Sequence, residues 1–502
     1  GPACVVRPLA PLEHPKRRID FTHGEVLYEL HIGTFTKEGT FEAATRHLPQ
    51  LASLGVTALE LMPIAAFPGE RGWGYDGVAL FAPFSRYGTL EDLRRLIEQA
   101  HASGLAVILD VVYNHLGPDG NYLPRFSDLY FASDRKNPWG QAPALEKPAF
   151  RRLVLDNARY WLDEVGFDGL RLDAVHELEP GGEPHILREL AEVARACSPP
   201  AVLIAEDDRN QPGQLLQHGI DAIWSDDFHH AVHVLLTSER DGYYRAYSGD
   251  LMELAHVIER GQLYEGQIFP VTGRPRGVPS DHVPRERLIY ALQNHDQIGN
   301  RAHGERLHML CEPRLADAVT LLLYFLPATP LLFMGQEWRS KTPFLYFTDH
   351  AGELGQAVTQ GRYDEFGHFA AYQHGGAPVP DPQALETFER SKLNWTLSPD
   401  QQQTLELHRR ALALRRSDRV LGSHGEVRSG VLGTVLWAKL RHPRGERLFL
   451  LNVGEGEVSV AGIPGVSPPH YESLLATGDV RMTSRAFELA AKSAAILARV
   501  EH

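Results

Sequence analysis

Three carboxylates close three different apolar runs of this sequence: Asp173 in "GFDGLRLDAVHEL", Glu206 in "AVLIAED" and Asp296 in "RLIYALQNHD". A buried charge is costly unless it is paired, so three at comparable positions point to chemistry rather than packing. Two carboxyl groups flanking a substrate are what cleavage of a glycosidic bond requires. One must be protonated, to hand a proton to the leaving oxygen; the other must be ionised, to attack or stabilise the sugar cation. Arg171 stands two residues before Asp173. Residues i and i+2 of a strand share a face, so its guanidinium is expected beside the Asp173 carboxylate, holding it ionised. Glu206 has no such neighbour in sequence, and clustered carboxylates would raise its pKa, which suits an acid.

Further polar residues collect where other apolar runs end. They are Asp110, Asn114 and His115 in "DVVYNH", His176 after Asp173, Asp207 after Glu206, and Asp226, Asp227, His229 and His230 in "WSDDFHH". His295, Gln297 and Asn300 surround Asp296, and Gln336, Glu337 and Trp338 close the last run. Trp73, Tyr75, Tyr113, Trp139, Trp224 and Trp338 suit stacking on sugar faces, with ordinary core packing as the alternative for each. No catalytic metal is expected: the histidines are adjacent rather than at helical i, i+4 spacing, and no cysteines support them. A structural cation in the long loop described below stays open, and no cofactor is called for.

Eight strand-like runs must position these groups: "EVLYELHI", "VTALELMPI", "LAVILDVVYNH", "DGLRLDAV", "AVLIAED", "GIDAIWSDD", "RLIYALQNHD" and "TPLLFMGQE". Amphipathic helical stretches alternate with them, such as "LEDLRRLIEQAHASG", with apolar spacing at Leu93, Leu96, Ile97 and Ala100, and "PHILRELAEVARACS". The expected class is α/β, a (β/α)8 TIM barrel, whose catalytic groups project from the C-terminal strand ends. A doubly wound open sheet is the rival, weakened by the lack of a glycine-rich phosphate loop after the first strand. Residues 116–148 form a long loop after strand 3, rich in Gly, Pro, Asp and aromatics, of a kind that is usually functional. A closing helix is expected after residue 400, then an all-β C-terminal sandwich domain from "GTVLWAKL", "ERLFLLNV", "GEVSVAGI" and "AAILARVE". The expected division is 1–22 linker, 23–405 barrel and 406–502 β domain.

The bulk figures exclude several functions. Of 502 residues, 50 are basic and 64 acidic, a net charge of −14, which argues against nucleic acid or an anionic membrane as partner. Cys4, Cys197 and Cys311 are odd in number and far apart, so inert thiols in a reducing, cytoplasmic setting are expected. The most apolar run, residues 319–334, is broken by Pro327 and Pro330 and reads as a core helix, a turn and a strand, too short for a bilayer. A monomer is expected.

"DVVYNH", "GFDGLRLDAV", "LIAED" and "NHDQIGN" resemble, in order and spacing, the four signature regions of the α-amylase superfamily of glycoside hydrolases. The resemblance runs from about residue 26 to 338, and "ERGWGYDGVALFAPFSRYGT" adds a match to branching-enzyme-like members. It implies Asp173 as nucleophile, Glu206 as general acid/base and Asp296 as transition-state stabiliser. Tyr75, His115, Arg171 and His295 would hold the sugar in the cleaved subsite. "YELHIGTFTKEGTF", "NHLGPDGNYL", "LDAVHEL", "WSDDFHHAVH", "GRYDEF" and "FERSKLNW" narrow the resemblance to a trehalose-releasing branch of that superfamily. Such a member cuts the α-1,4 bond next to the terminal trehalose of maltooligosyl trehalose. By the same resemblance residues 171–176, 226–230 and 295–300 would line the α-glucan site. Recognition of the trehalose end is expected from "DDFHH" and Trp338. The branch usually carries an N-terminal β-sandwich, of which residues 1–22 would be the exit linker. A branching or debranching enzyme or an α-amylase is the alternative. A non-catalytic carbohydrate-binding member is expected to lose one of the three carboxylates, and all three are present.

Overall fold

A computed structural model describes residues 12–137, 139–179, 181–367, 378–423 and 425–500. The eight expected strands all form: β1 (Leu27–Leu30), β2 (Ala58–Leu61), β3 (Ala106–Val111), β4 (Gly169–Leu172), β5 (Val202–Ala205), β6 (Ala222–Trp224), β7 (Leu288–Ala291) and β8 (Thr329–Phe333). They close into one parallel barrel, each strand beside the next and β8 against β1. Both faces of a parallel barrel strand are buried, so these runs are apolar throughout instead of alternating with polar residues.

Side chains still alternate in direction. Leu27, Ala58, Ala106, Ile108, Val202, Ile204, Ala222, Trp224, Ile289 and Ala291 form one cluster filling the barrel. Tyr28, Leu59, Val107, Leu170, Leu203, Ile223, Leu288 and Leu332 belong to the larger cluster shared with the helices. Stepping by two from the inward set reaches Glu29, Glu60, Asp110, Glu206 and Asp226, and the neighbouring strand adds Arg171, paired in register with Asp110. The charged residues therefore occupy inward positions towards the strand ends, above an apolar plug.

The helices follow the expected signals. Leu90–Ala102 starts with a capping box, Asp92 and Thr89 exchanging bonds at 3.1 and 2.9 Å, and buries Leu93, Leu96, Ile97 and Ala100. Ile186–Ala196 buries Ile186, Leu187, Leu190, Ala191 and Ala194 and packs against β5. The apolar run at 319–334 is the end of helix Pro313–Phe325, a turn and β8. The described residues of loop 116–148 hold two short helical turns, Leu123–Phe126 and Asp128–Tyr130, and a hairpin, Phe131–Asn137 with Gly140–Pro143. Among the described residues no helix is long and apolar enough to cross a membrane.

Residues 1–11 of the expected linker lie outside the described residues. From residue 12 the chain is packed: Ile19 and Phe21 belong to the cluster that fills the barrel from below, and the Arg17 backbone N–H donates to Asp168 at 3.0 Å. The closing helix is Pro399–Ser417, and its buried Arg415 donates to the carbonyls of Tyr324, Leu326 and Ala328. Beyond it a five-stranded antiparallel sheet packs on helices Pro313–Phe325 and Leu251–Arg260. A three-stranded sheet covers its other face over Val435, Leu448, Leu450, Phe487 and Leu497. The sequence reading found Val435–His442, Gly445–Asn452, Val458–Val460 and Ser493–Arg499, but not Tyr471–Ala476, Val480–Met482, Phe487–Leu489 or, at the edge of the larger sheet, Glu426–Leu432. That strand is half-exposed and too polar to stand out.

Candidate active site

The site grows from the layer of inward charges. Arg171 on β4 has no exposed surface, and its guanidinium lies 4.2 Å from the Trp224 ring centroid. Nη1 donates to both Asp110 oxygens at 2.9 Å and to Asp173 Oδ1 at 3.0 Å; Nη2 lies 2.8 Å from Glu206 Oε2. One cation thus joins the ends of β3, β4 and β5. It neighbours Asp173, as expected, but it holds Glu206 as well. Having no surface, it reaches a sugar only through those carboxylates.

Asp173 follows β4 directly. Asn114 donates to its Oδ2 at 2.6 Å and Arg171 to its Oδ1, so both oxygens are oriented. The next residue, Ala174, adopts left-handed backbone (φ 40°), a conformation costing about 1–3 kcal/mol that tends to persist where function needs it. That twist aims the Ala174 N–H at Glu206 Oε2, 2.9 Å away. Burial raises the Glu206 carboxyl above its ordinary range; Arg171 opposes this, and the Asp173 charge adds to it. A raised carboxyl is suited to proton donation.

Tyr75 donates to Asp110 Oδ2 at 2.6 Å, lies 2.8 Å from His295 Nε2 and stacks on that ring. The other nitrogen of His295 meets Glu29 of β1. Burial disfavours the charged His295 ring, but Asp296 and Glu29 outweigh it and lift the ring to about 10. Burial likewise pushes Asp110 up to about 7 against the pull of Arg171. His115 bonds to Asn114 and to the Tyr75 carbonyl, and Trp139 of the long loop stacks on it at 3.8 Å, 40% exposed. Asp296 sits on the short helix His295–Gly299, its side chain 41% exposed, with Asn300 donating to Oδ1 at 3.2 Å.

The "DDFHH" segment divides. Asp226 opens helix Asp226–Thr237 beside Gln297, whose Nε2 is 3.4 Å away. Burial and then the Glu206 charge push Asp226 up to about 7. Asp227, by contrast, is buried away from the opening and accepts from Asn210, Tyr247 and the Leu263 N–H. His229 bonds to the Leu292 carbonyl and Tyr244, and His230 to Tyr247. These three hold the segment around 239–280 against the barrel, and Asp226 alone faces the carboxylates. Trp338 differs from the expectation too. It is 0% exposed, packs against Trp395 and cannot stack on a sugar. Its turn folds back into the core, where Glu337 accepts from Tyr28 at 2.9 Å.

His176 stands at the rim, Nδ1 3.6 Å from Asp208. Among the described residues, His176, Asp207 and Asp208 have ligand-type atoms within 4.8 Å of one another, but Asp207 is taken by Arg209 at 2.6 Å. The sequence reading missed Glu29 and Glu60. Both are charges inside apolar strands, the same signal that Arg171 gave.

The model of the alpha amylase catalytic domain matches residues 19–137. A malto-oligosyltrehalose trehalohydrolase from Deinococcus radiodurans is 48% identical over 87% of this chain and 74% of its own length. The chain belongs to the malto-oligosyltrehalose trehalohydrolase family. A malto-oligosyltrehalose trehalohydrolase from Mycobacterium tuberculosis is 38% identical over 95% of this chain and 83% of that one. A 1,4-alpha-glucan branching enzyme from Bacillus caldolyticus matches at 34% identity over only 40% of this chain and 34% of its own. A crystal structure from Salmonella typhimurium superposes with a TM-score of 0.89 at 39% identity, over 99% of this chain and 86% of that one.

Proposed function

We propose that this enzyme is a retaining glycoside hydrolase that cuts the α-1,4-glucosidic bond next to the terminal trehalose of maltooligosyl trehalose, releasing trehalose and a maltooligosaccharide. The observation that carries the chemistry is the Arg171 fork, which puts Asp173 and Glu206 on the two prongs of one buried cation. The substrate comes from the trehalohydrolase relatives, which align over nearly the whole chain.

Asp173, oriented by two donors, attacks the anomeric carbon while Glu206 gives its proton to the leaving trehalose oxygen. Glu206 then takes a proton from water, which hydrolyses the glycosyl–Asp173 ester. Asp296 faces the sugar cation as it develops. Tyr75, His115 and His295 floor the cleaved subsite, with Trp139 above His115. Asp226 and Gln297 border the leaving-group side, and His176 and Asn300 stand at the rim. Catalysis is assigned to residues 23–405; the expected division at 405/406 falls inside helix Pro399–Ser417, and the C-terminal strands begin at Glu426. The free thiols Cys197 and Cys311 fit a cytoplasmic setting.

Maltooligosyl trehalose and a plain maltooligosaccharide of equal length separate this reading from its alternative. The trehalose-ended chain is expected to be cleaved with at least about tenfold higher kcat/KM, about 1.4 kcal/mol of discrimination. Equal cleavage of both would favour an α-amylase or debranching activity.

A further inference from the structure

The motif "GRYDEF", residues 361–366, plays no part in the chemistry above. It lies on helix Gly352–Gly367, which follows the eighth barrel strand, and its Arg362 is 8% exposed. Arg362 Nη2 donates to the carbonyl of Gly299 at 2.7 Å and to that of Arg301 at 3.1 Å. Its guanidinium carbon lies 4.5 Å from the Phe366 ring centroid and 5.2 Å from that of Tyr346, and Nη1 is 3.1 Å from Glu365.

The Gly299 carbonyl ends the five-residue helix that carries Asp296, and the Arg301 carbonyl lies just beyond its C-cap, Asn300. A single helical turn is not stable alone, and its last carbonyls have no partner within it. A cation there satisfies them and suits the negative end of the turn. The other side of the turn is equally constrained. A Cβ on Gly299 would come within 2.1 Å of the Trp73 indole, and Trp73 stands edge-on to His295 at 5.6 Å. Arg301 forks onto Glu239 at 2.6 and 2.9 Å. Asp296 itself is held mainly from within the turn, by Asn300. Where its carboxylate stands therefore depends on where the turn's backbone is fixed.

We propose that Arg362 is a positioning residue for catalysis: it locks the backbone of the turn bearing Asp296 and so sets where that carboxylate meets the sugar cation. The inference rests on the role given to Asp296 above. Displacing a catalytic group by about 1 Å costs on the order of 10²-fold in rate, so Arg362→Ala is expected to lower kcat about 10²-fold with KM within about threefold. Arg362→Lys, a point charge that reaches one carbonyl instead of two, is expected to fall between, at about tenfold. Free guanidinium ion is expected to restore part of the kcat of Arg362→Ala, which a general loss of packing would not allow. The inference is overturned if folded Arg362→Ala keeps kcat within about threefold of the parent. It is also overturned if kcat falls together with thermal stability and guanidinium restores neither. Should Arg362→Ala not fold, Arg362→Lys decides: an unchanged kcat overturns the inference, and a lowered kcat at unchanged KM and melting temperature supports it. Asp296→Asn is measured in parallel. An active Asp296→Asn would remove the role of Asp296 itself, whereas an inactive one beside a normal Arg362→Ala would remove only the role of Arg362.

Discussion

Glu206→Gln is expected to lower turnover of maltooligosyl trehalose by at least about 10²-fold, and Asp173→Asn by at least as much. The two losses have different causes, and a changed leaving group separates them. A maltooligosyl fluoride releases fluoride, which needs no proton. Glu206→Gln is therefore expected to form the glycosyl ester from the fluoride at near-parent rate, while Asp173→Asn stays inactive on both substrates. The pH profile gives a second reading. Burial keeps Glu206 above its ordinary carboxyl range, and activity falls on the alkaline side as that proton is lost. With Glu206→Gln assayed on the fluoride, that alkaline limb should disappear. Near-parent turnover of the natural substrate by either variant would sink the assignment.

The second large effect is on the fold itself. Arg171→Met removes the one cation shared by Asp110, Asp173 and Glu206. Leaving buried charges uncompensated costs roughly 3–5 kcal/mol, so a marked fall in the melting temperature of the barrel is expected along with lost activity. The sign of its pH dependence is fixed. Burial raises the Asp110 and Glu206 carboxyls and Arg171 opposes it, so without that cation the folded form binds more protons and gains stability as pH falls. Asp110 stands at about 7 even with Arg171 present. The deficit of Arg171→Met relative to the parent should therefore be larger at pH 8 than at pH 5, as read by thermal melts at the two values. A deficit that grows towards low pH would contradict the account. Arg171→Lys is expected to keep part of the stability but not the fork, since an ammonium cannot span two strands' carboxylates in one plane.

The barrel and its centre were legible because they break a simple rule. A strand buried on both faces should be apolar, so the charges in "GLRLDAV" and at the end of "LIAED" stand out, and the structure brings them together around Arg171. The same rule applied to "LYELHI" and "ALELMP" would have singled out Glu29 and Glu60. They lie within β1 and β2 rather than beyond the last strand residue, where catalytic groups of a barrel are expected. What was not legible depended on partners distant in sequence. That Arg171 would hold Glu206 as well as Asp173 follows from the closeness of β4 and β5, which a chain read in order does not display. In "DDFHH" the composition suggested a row of substrate contacts. The helix turns about 100° per residue, so its members point different ways, and Tyr244, Tyr247 and Arg276 claim three of the four ionisable side chains. Trp338 illustrates the ambiguity of aromatics: at a strand end, a sugar platform and a core residue look alike until the following turn is seen folding inwards.

Asp173 and Glu206 are expected to carry out a double displacement at the bond next to trehalose. Maltopentaosyl trehalose, hydrolysed briefly and analysed at once for products and for the anomer formed, tests it most directly. Trehalose and maltopentaose are expected as the only initial products, with the new reducing end in the α configuration of the bond that was cut. A β-anomer would contradict the covalent role of Asp173, and initial release of glucose or maltose would contradict the trehalose-end specificity.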